Sequence, residues 1–452
     1  MRERRRDSPV GRFTWLTTPF DVMPRRNLYI LLLTILFSLL CAFRSSPYGR
    51  ALMYALEQIH QKALEPRSQK ELAEAALRGM ADELDPYSAY ISAEELAQFD
   101  EELDRQFGGV GIEIHVDPDT RGVIVTTALP GTPAQRGGIR PGDRLLAVDG
   151  QDVSSANLDE VSRLVRGLPG SQVVLTVQSR DEAEPRRVTL TREIIQGETV
   201  LGDTRNADGT WNYTLRERPD IGFIRIDTFA DETDDRLREV LLQLAEKGVQ
   251  GIILDLRSDP GGRLDVAVNV CDAFLRSGVI VTTQTRTGVI KERFAASGKA
   301  ICPDTRLAVL INRFSASASE IVAACLQDHG RAVIVGERSF GKGTVQELLD
   351  MEPGLGRLKL TTASYRRPSG KNIHRSVSAK DQDDWGVRPD PGYEVELDEK
   401  EVELQILARA LRGMYRDAKS PKPVGFENVP DDFRDRCVET ALKYFDRRKR
   451  GT

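Results

Sequence analysis

The hydrophobic and polar positions divide the chain into stretches of different period. Residues 27–43, NLYILLLTILFSLLCAF, form an uncharged, almost wholly apolar run of 17 residues. As a helix it spans roughly 25 Å, at the short end for a bilayer crossing. The pattern then becomes helical, with Leu52, Ala55, Leu56 and Ile59, and later Leu72, Ala75, Ala76, Leu77 and Met80, recurring on one face. Asp85-Pro86-Tyr87-Ser88 breaks it, because proline and its predecessor leave the α region. Ser92, followed by Glu94 and Glu95, starts another short helix. Residues 47–98 are therefore read as helical.

Between 107 and 195 the character changes. Strand-like runs at 122–128, 145–148 and 173–177 alternate with turns carrying Gly131, Gly137, Gly138, Gly142 and Gly150, and one helical piece lies at 158–165. From about residue 220 strands and helices alternate. Strands are predicted at 221–226, 251–256, 279–283, 307–311 and 332–335, with helices at 234–246, 264–275 and 319–327. The run 251–256 is nearly all apolar, as in a parallel strand buried on both faces. That alternation implies a layered α/β domain. A helix near 402–412 and a second one ending in Arg447, Arg448, Lys449 and Arg450 close the chain; cations are favoured at such a helix end.

Composition narrows the class. At 452 residues the chain exceeds one ordinary core, so two or three domains are expected. A 40% hydrophobic and 29% charged composition is that of a folded protein. A net charge of −5 argues against nucleic acid as the main partner. Cys41, Cys271, Cys302, Cys325 and Cys437 show no CxxC pair and no metal-ligand spacing. Arg2, Arg4, Arg5, Arg6, Arg12, Arg25 and Arg26 precede the apolar run, so it reads as a single-pass anchor in the cytoplasmic membrane, with everything after residue 46 on the extracytoplasmic, periplasmic side. A cleaved signal peptide is the competing reading. Against it, no A-x-A-like pair follows the run.

The candidate chemistry begins at 307–322, LAVLINRFSASASEIV, where a buried strand runs into small residues and a helix starts. The first N–H groups of a helix lack intrahelical partners and can face an oxyanion. Serines there also serve as plain helix caps. A serine needs a base, and four histidines are present: His60, His115, His329 and His374. His329 is at the far end of the helix, roughly 18 Å from Ser317, and reads as its cap with Gly330. His374 stays open. The stronger candidate is Lys342 in SFGKGTVQ, between two glycines that let the backbone approach closely. Burial lowers a lysine pKa, and only the neutral amine is a base. The GxxxxGK[ST] spacing of a phosphate loop is missing.

These residues carry a resemblance. FSASASEIVAACLQDHGRAVIVGERSFGKGTVQ is similar to the catalytic core of the C-terminal processing (tail-specific) proteases, serine peptidases with a Ser–Lys dyad. DLRSDPGG at 255–262, YRRPSGKNI at 365–373 and WGVRPDPGYEV at 385–395 fit further segments of that family, in order. Relatives more often carry Asn where Asp259 stands. The resemblance implies Ser317 as nucleophile, Lys342 as general base and Gln346 as the residue positioning the lysine. It also implies oxyanion donors at Ala318 and at Gly261 or Gly262, with no metal and no cofactor. Phe107-Gly108-Gly109-Val110-Gly111-Ile112 looks like the carboxylate-binding loop of a PDZ domain, and 138–150 resembles that fold's second half. Gly108, Gly109, Val110, Gly111 and Ile112 are thus expected to hold a peptide C-terminus, and the helix at 158–165 to wall the groove.

The fold expected is α/β: a crotonase-like catalytic core, an inserted PDZ-like domain, a helical N-terminal segment and a transmembrane anchor. The boundaries are a basic cytoplasmic tail at 1–26, an anchor at 27–43, helices at 47–98, the PDZ-like unit at 99–196, the peptidase at 197–412 and a helical extension at 413–452. The expected partners are proteins with unstructured apolar C-termini, and a homodimer or an activator protein. Two rivals remain, a non-catalytic PDZ-bearing scaffold and acyl-thioester chemistry on the same core.

Overall fold

The computed structural model describes residues 27, 29–35, 46–104, 106–117, 122–154, 156–179, 182–206, 209–414, 422 and 426–447. The basic tail and most of the apolar run at 27–43 lie outside these residues, as does the end of the basic C-terminal tail. No helix among the described residues is long and apolar enough to cross a membrane.

Two compact units divide at residue 80. The first contains the helix Pro47–Lys62, opened by Ser46, and most of the helix Gln69–Asp82. Ser68 and Glu71 cap the latter reciprocally: each side chain accepts the other's backbone N–H, at 3.1 and 2.8 Å.

The second unit is built on a five-stranded sheet in which Ile221–Ile226, Gly251–Asp255, Arg306–Ile311 and Ala332–Gly336 run parallel. Their β-branched runs are buried on both faces, as the sequence pattern predicts. One face packs on the helices Thr233–Lys247, Leu264–Asp272 and Ala318–Asp328. The other is covered by the helix Arg436–Asp446 through Cys437, Ala441 and Phe445. A Cβ on Gly251 would stand 2.6 Å from the Phe445 ring, so only glycine admits that ring. The Arg306 guanidinium stacks 4.2 Å over Tyr444 and donates to the carbonyls of Tyr444 and Phe445, closing the helix end.

A second sheet was not visible in the pattern. Val279–Thr285, expected among the α/β strands, lies instead in an antiparallel sheet with Ile290–Ala295, Arg357–Arg366, Thr344–Asp350 and Ala89–Ile91. The last of these corrects the wholly helical reading of 47–98. Three residues after a proline turn pair with a strand more than 260 positions away, and no local period encodes such a partner. The PDZ-like unit is a six-stranded sheet around Val123, Val125, Leu145, Val161, Val173 and Leu175, all fully buried. Its clear helix, Leu158–Val165, is where the periodicity places it, with Asn157 as cap.

Candidate active site

The parallel strands deliver the candidate residues to one end of the sheet, beyond their carboxyl ends, where open α/β sheets bind ligands. Gly251–Asp255 leads into the 256–262 loop, Arg306–Ile311 into Ser317, and Ala332–Gly336 into Lys342. Ser317 caps its helix with φ +56°, a left-handed conformation that few L-residues adopt. The turn is held by its neighbours. Ser315 Oγ donates to Leu256 O at 2.8 Å, Ser319 Oγ donates to Asp259 O at 3.1 Å, and Ala316 N–H donates to Asp259 O at 3.0 Å. The outer two serines of SASAS therefore stitch the turn to the 256–262 loop. Ser317, 7% exposed, instead faces the buried Tyr365 hydroxyl, whose pKa burial pushes up to about 12.

Gly261 lies directly against the nucleophile candidate. A Cβ there would stand 2.7 Å from Ala316 O, 2.8 Å from Ser317 Cβ and 2.9 Å from Ala318 N. Its N–H is committed to Asp259 Oδ1 at 2.8 Å, and its carbonyl accepts from Phe229 N–H and Thr228 Oγ1. Asp259 is fully buried and its Oδ2 has no partner among the described residues. Burial lifts its pKa well above the usual carboxylate range, against the Gly261 N–H bond that favours the anion.

The residue that sequence reasoning missed is Glu320. Its carboxylate, 1% exposed, accepts from Ser317 N–H at 2.9 Å and Lys342 N–H at 2.8 Å on one oxygen. The other oxygen accepts from Gly341 N–H at 2.7 Å and Ser339 Oγ at 2.5 Å. One buried carboxylate thus sets the backbones of both candidate residues. Burial raises its pKa to about 7 against four hydrogen bonds that favour the anion. The signal was present, since Ser317 and Glu320 stand at capping-box spacing.

Lys342 is half-buried, and its Nζ stands 4.8 Å over the Tyr87 ring with no hydrogen bond among the described residues. Burial, and then the Lys359 charge, lower its pKa, while Glu320 and Asp85 oppose them. Replacing Lys359 by methionine is expected to move the Lys342 amine titration to higher pH, read by NMR of the ε-methylene. Glycine is required on both sides of Lys342. A Cβ on Gly343 would meet His374 N at 2.3 Å, and one on Gly341 would meet Arg375 Cβ at 2.7 Å. No hydrogen bond joins Gln346 to Lys342 among the described residues; its amide nitrogen donates to Thr344 Oγ1 at 3.0 Å and Thr361 Oγ1 at 3.3 Å.

Among the described residues no histidine bonds Ser317. His329 ends the Ser317 helix and bonds Val279 O at 2.7 Å, and His60 contacts Arg67 O. His115 faces Phe426, and the backbone of His374 packs against Gly343. In the PDZ-like unit, Gly109, Val110, Gly111 and Ile112 line a groove with Val165 and Arg166. Gly108, between the lining residues Phe107 and Gly109, has its carbonyl accepting from Gly167 N–H at 3.0 Å.

The comparisons with known proteins agree with this architecture. Residues 220–391 match the model of peptidase family S41, and residues 124–179 match a PDZ domain. The chain is a serine-type peptidase on an α/β core that carries a PDZ domain. It is 33% identical over 385 residues to a carboxy-terminal-processing protease of Bartonella bacilliformis, covering 82% of this chain and 81% of that one. A carboxyl-terminal-processing protease of Synechocystis is 34% identical, covering 74% and 73% of the two chains. The chain belongs to the carboxy-terminal-processing protease family. A putative S41 protease from Bacteroides fragilis shares the fold, with TM-score 0.50 and 16% identity, covering 87% of this chain and 96% of that one.

Proposed function

We propose that the chain is a membrane-anchored endopeptidase that cleaves proteins selected by their C-terminal tails, through an acyl-enzyme on Ser317 with Lys342 as general base. The observation that carries this reading is the shared Glu320 carboxylate, which ties the Ser317 and Lys342 backbones to one oxygen. In this reading the Lys342 amine leaves the Tyr87 ring to serve Ser317. Neutral Lys342 takes the hydroxyl proton as Ser317 Oγ attacks the scissile carbonyl, then gives it to the leaving amine. Water hydrolyses the ester by the reverse route. With both amide hydrogens of Gln346 on threonine hydroxyls, its oxygen is the end that accepts from the lysine.

The oxyanion donors are Ala318 N–H and a glycine amide, and the peptide plane favours Gly262. Because the Gly261 carbonyl points to Phe229 and Thr228, the Gly262 N–H of the same trans peptide points the opposite way. Gly261 has already given its own N–H to Asp259.

The PDZ groove takes an apolar, unstructured C-terminus as an added strand beside Ile112–Val116, with its carboxylate at the 109–112 loop. The apolar run 27–43, behind its arginines, is the anchor that places the catalytic unit outside the cytoplasm. The test uses the full chain in detergent, a loosely folded substrate with an apolar tail, and a fluorophosphonate. Parent protein is expected to cleave the substrate and to gain the phosphonyl mass on the peptide holding Ser317. The Ser317→Ala variant is expected to do neither, and amidating the substrate tail should raise KM. Undiminished cleavage by Ser317→Ala would reject the nucleophile.

A further inference from the structure

The loop that carries Gly261 and Gly262 is fixed at its other end by charges from a distant part of the chain. Arg257 is 1% exposed and Asp255 is fully buried. The Arg257 guanidinium donates from Nε to Asp255 Oδ1 at 2.8 Å and from Nη2 to Asp255 Oδ2 at 2.6 Å. It also reaches Asp435, with Nη1 at 3.0 Å from Oδ1 and Nη2 at 2.9 Å from Oδ2. Gln405 Nε2 donates to Asp435 Oδ1 at 3.2 Å, and Arg409 Nη1 approaches Asp255 Oδ2 at 3.7 Å. Two carboxylates and two guanidinium groups therefore meet in the interior. Burial opposes the charge on Asp255, but Arg257 and then Arg409 hold its pKa well below the usual carboxylate range.

The backbone on either side of Arg257 is the part that grips the Ser317 turn. Leu256 O accepts the Ser315 hydroxyl, and Ser258, at φ +62°, donates its N–H to Asn312 Oδ1 at 2.8 Å. The next residue, Asp259, holds Ala316, Ser319 and Gly261. The Arg257 side chain and the backbone that grips the Ser317 turn thus belong to one short segment.

We propose that Asp435 is a positioning residue for catalysis, completing a buried ion cluster that holds the 257–262 loop, and with it the glycine amide facing Ser317, in register. The proposal rests on the reading of Ser317 as nucleophile. Asp435 has a second task as the cap of the helix Arg436–Asp446, accepting from Cys437 N–H at 3.0 Å and Val438 N–H at 3.3 Å through Oδ1. The two tasks separate by substitution. Asparagine is as good a cap as aspartate but presents no charge and only one acceptor oxygen to Arg257. Serine keeps the cap and is too short to reach the guanidinium.

The experiment measures kcat, KM and fluorophosphonate labelling rate for the full-length parent, Asp435→Asn, Asp435→Ser and Ser317→Ala, with thermal unfolding of each. Misplacing a catalytic group by about 1 Å costs up to ~10²-fold. The Asn and Ser variants are therefore expected to lose about tenfold or more in kcat and in labelling rate per folded molecule. Their KM should stay within about twofold, since ground-state binding does not use the oxyanion donors. A parental kcat per folded molecule in either variant overturns the proposal, and so does a loss that merely tracks the folded fraction. A dead Ser317→Ala beside a fully active Asp435→Asn rejects the positioning role alone. An active Ser317→Ala rejects the nucleophile and this proposal with it.

Discussion

Replacing Lys342 by alanine is expected to lower kcat by about 10²–10⁴-fold, the range a general base supplies, with KM little changed. Lys342→Arg separates a base from a mere cation. Arginine keeps the charge but stays protonated at any assay pH, so it should be as slow as alanine if proton transfer is the role, and faster if charge alone matters. Ser317→Ala combined with Lys342→Ala should be no slower than the worse single variant, because groups acting as one unit are not additive. In the parent, the rate should rise with pH as the amine loses its proton. That limb lies below the ordinary lysine range because burial and Lys359 disfavour the ammonium. Stopped-time cleavage assays across pH, on these four proteins and on Ser317→Ala alone, check this.

Glu320→Gln should lose about 10²-fold in kcat without touching a reacting atom. The carboxylate accepts two donors on each oxygen. A glutamine must therefore aim its NH₂ at one of those pairs and strand two buried donors, at about 1–3 kcal/mol each. Protonation of Glu320 weakens the same bonds, so parental activity is expected to fall as pH drops through about 7. Stability should move the other way. The folded pKa of Glu320 is raised above its ordinary 4.5, so the folded state binds this proton more tightly between 4.5 and 7. Its contribution to stability is full below 4.5 and is lost as pH rises through about 7. Urea unfolding of parent and Glu320→Gln at pH 5 and pH 8 should show that slope in the parent and lose it in the variant.

The parallel strands were legible because each is a short run of apolar, often β-branched residues between turn signals. The helix after Ser317 was legible because the small residues and the capping position coincide. What the sequence hides is partnership over distance. Ala89–Ile91 carries no hint of Arg357–Lys359, its antiparallel partner. Lys342 stood out between its glycines, yet its backbone partner Glu320 reads in isolation as an ordinary first-turn acid. Gln346 shows the converse: the family pattern marks the residue, but its present partners, Thr344 and Thr361, are set by the pairing of two strands. Asp435 is hidden most completely, because a surface-like helix cap becomes part of an ion cluster only when residues 178 positions apart meet.

The helix Arg436–Asp446 also bears on the order in which the molecule is made. A chain synthesised from its N-terminus completes all four parallel strands before that helix emerges. Until then Phe223, Ile253, Ala308, Leu310 and Val335 lack the helix that packs on their apolar face, and unfinished α/β chains with such faces are prone to association. Phe445, which seals the edge over Gly251, arrives among the last of the described residues. The nascent peptidase thus gains the helix over its second face and a second charge partner for Arg257 in one late step. On the positioning role proposed for Asp435, a partly made copy is expected to have a loosely held 257–262 loop and little proteolytic activity until synthesis reaches these residues.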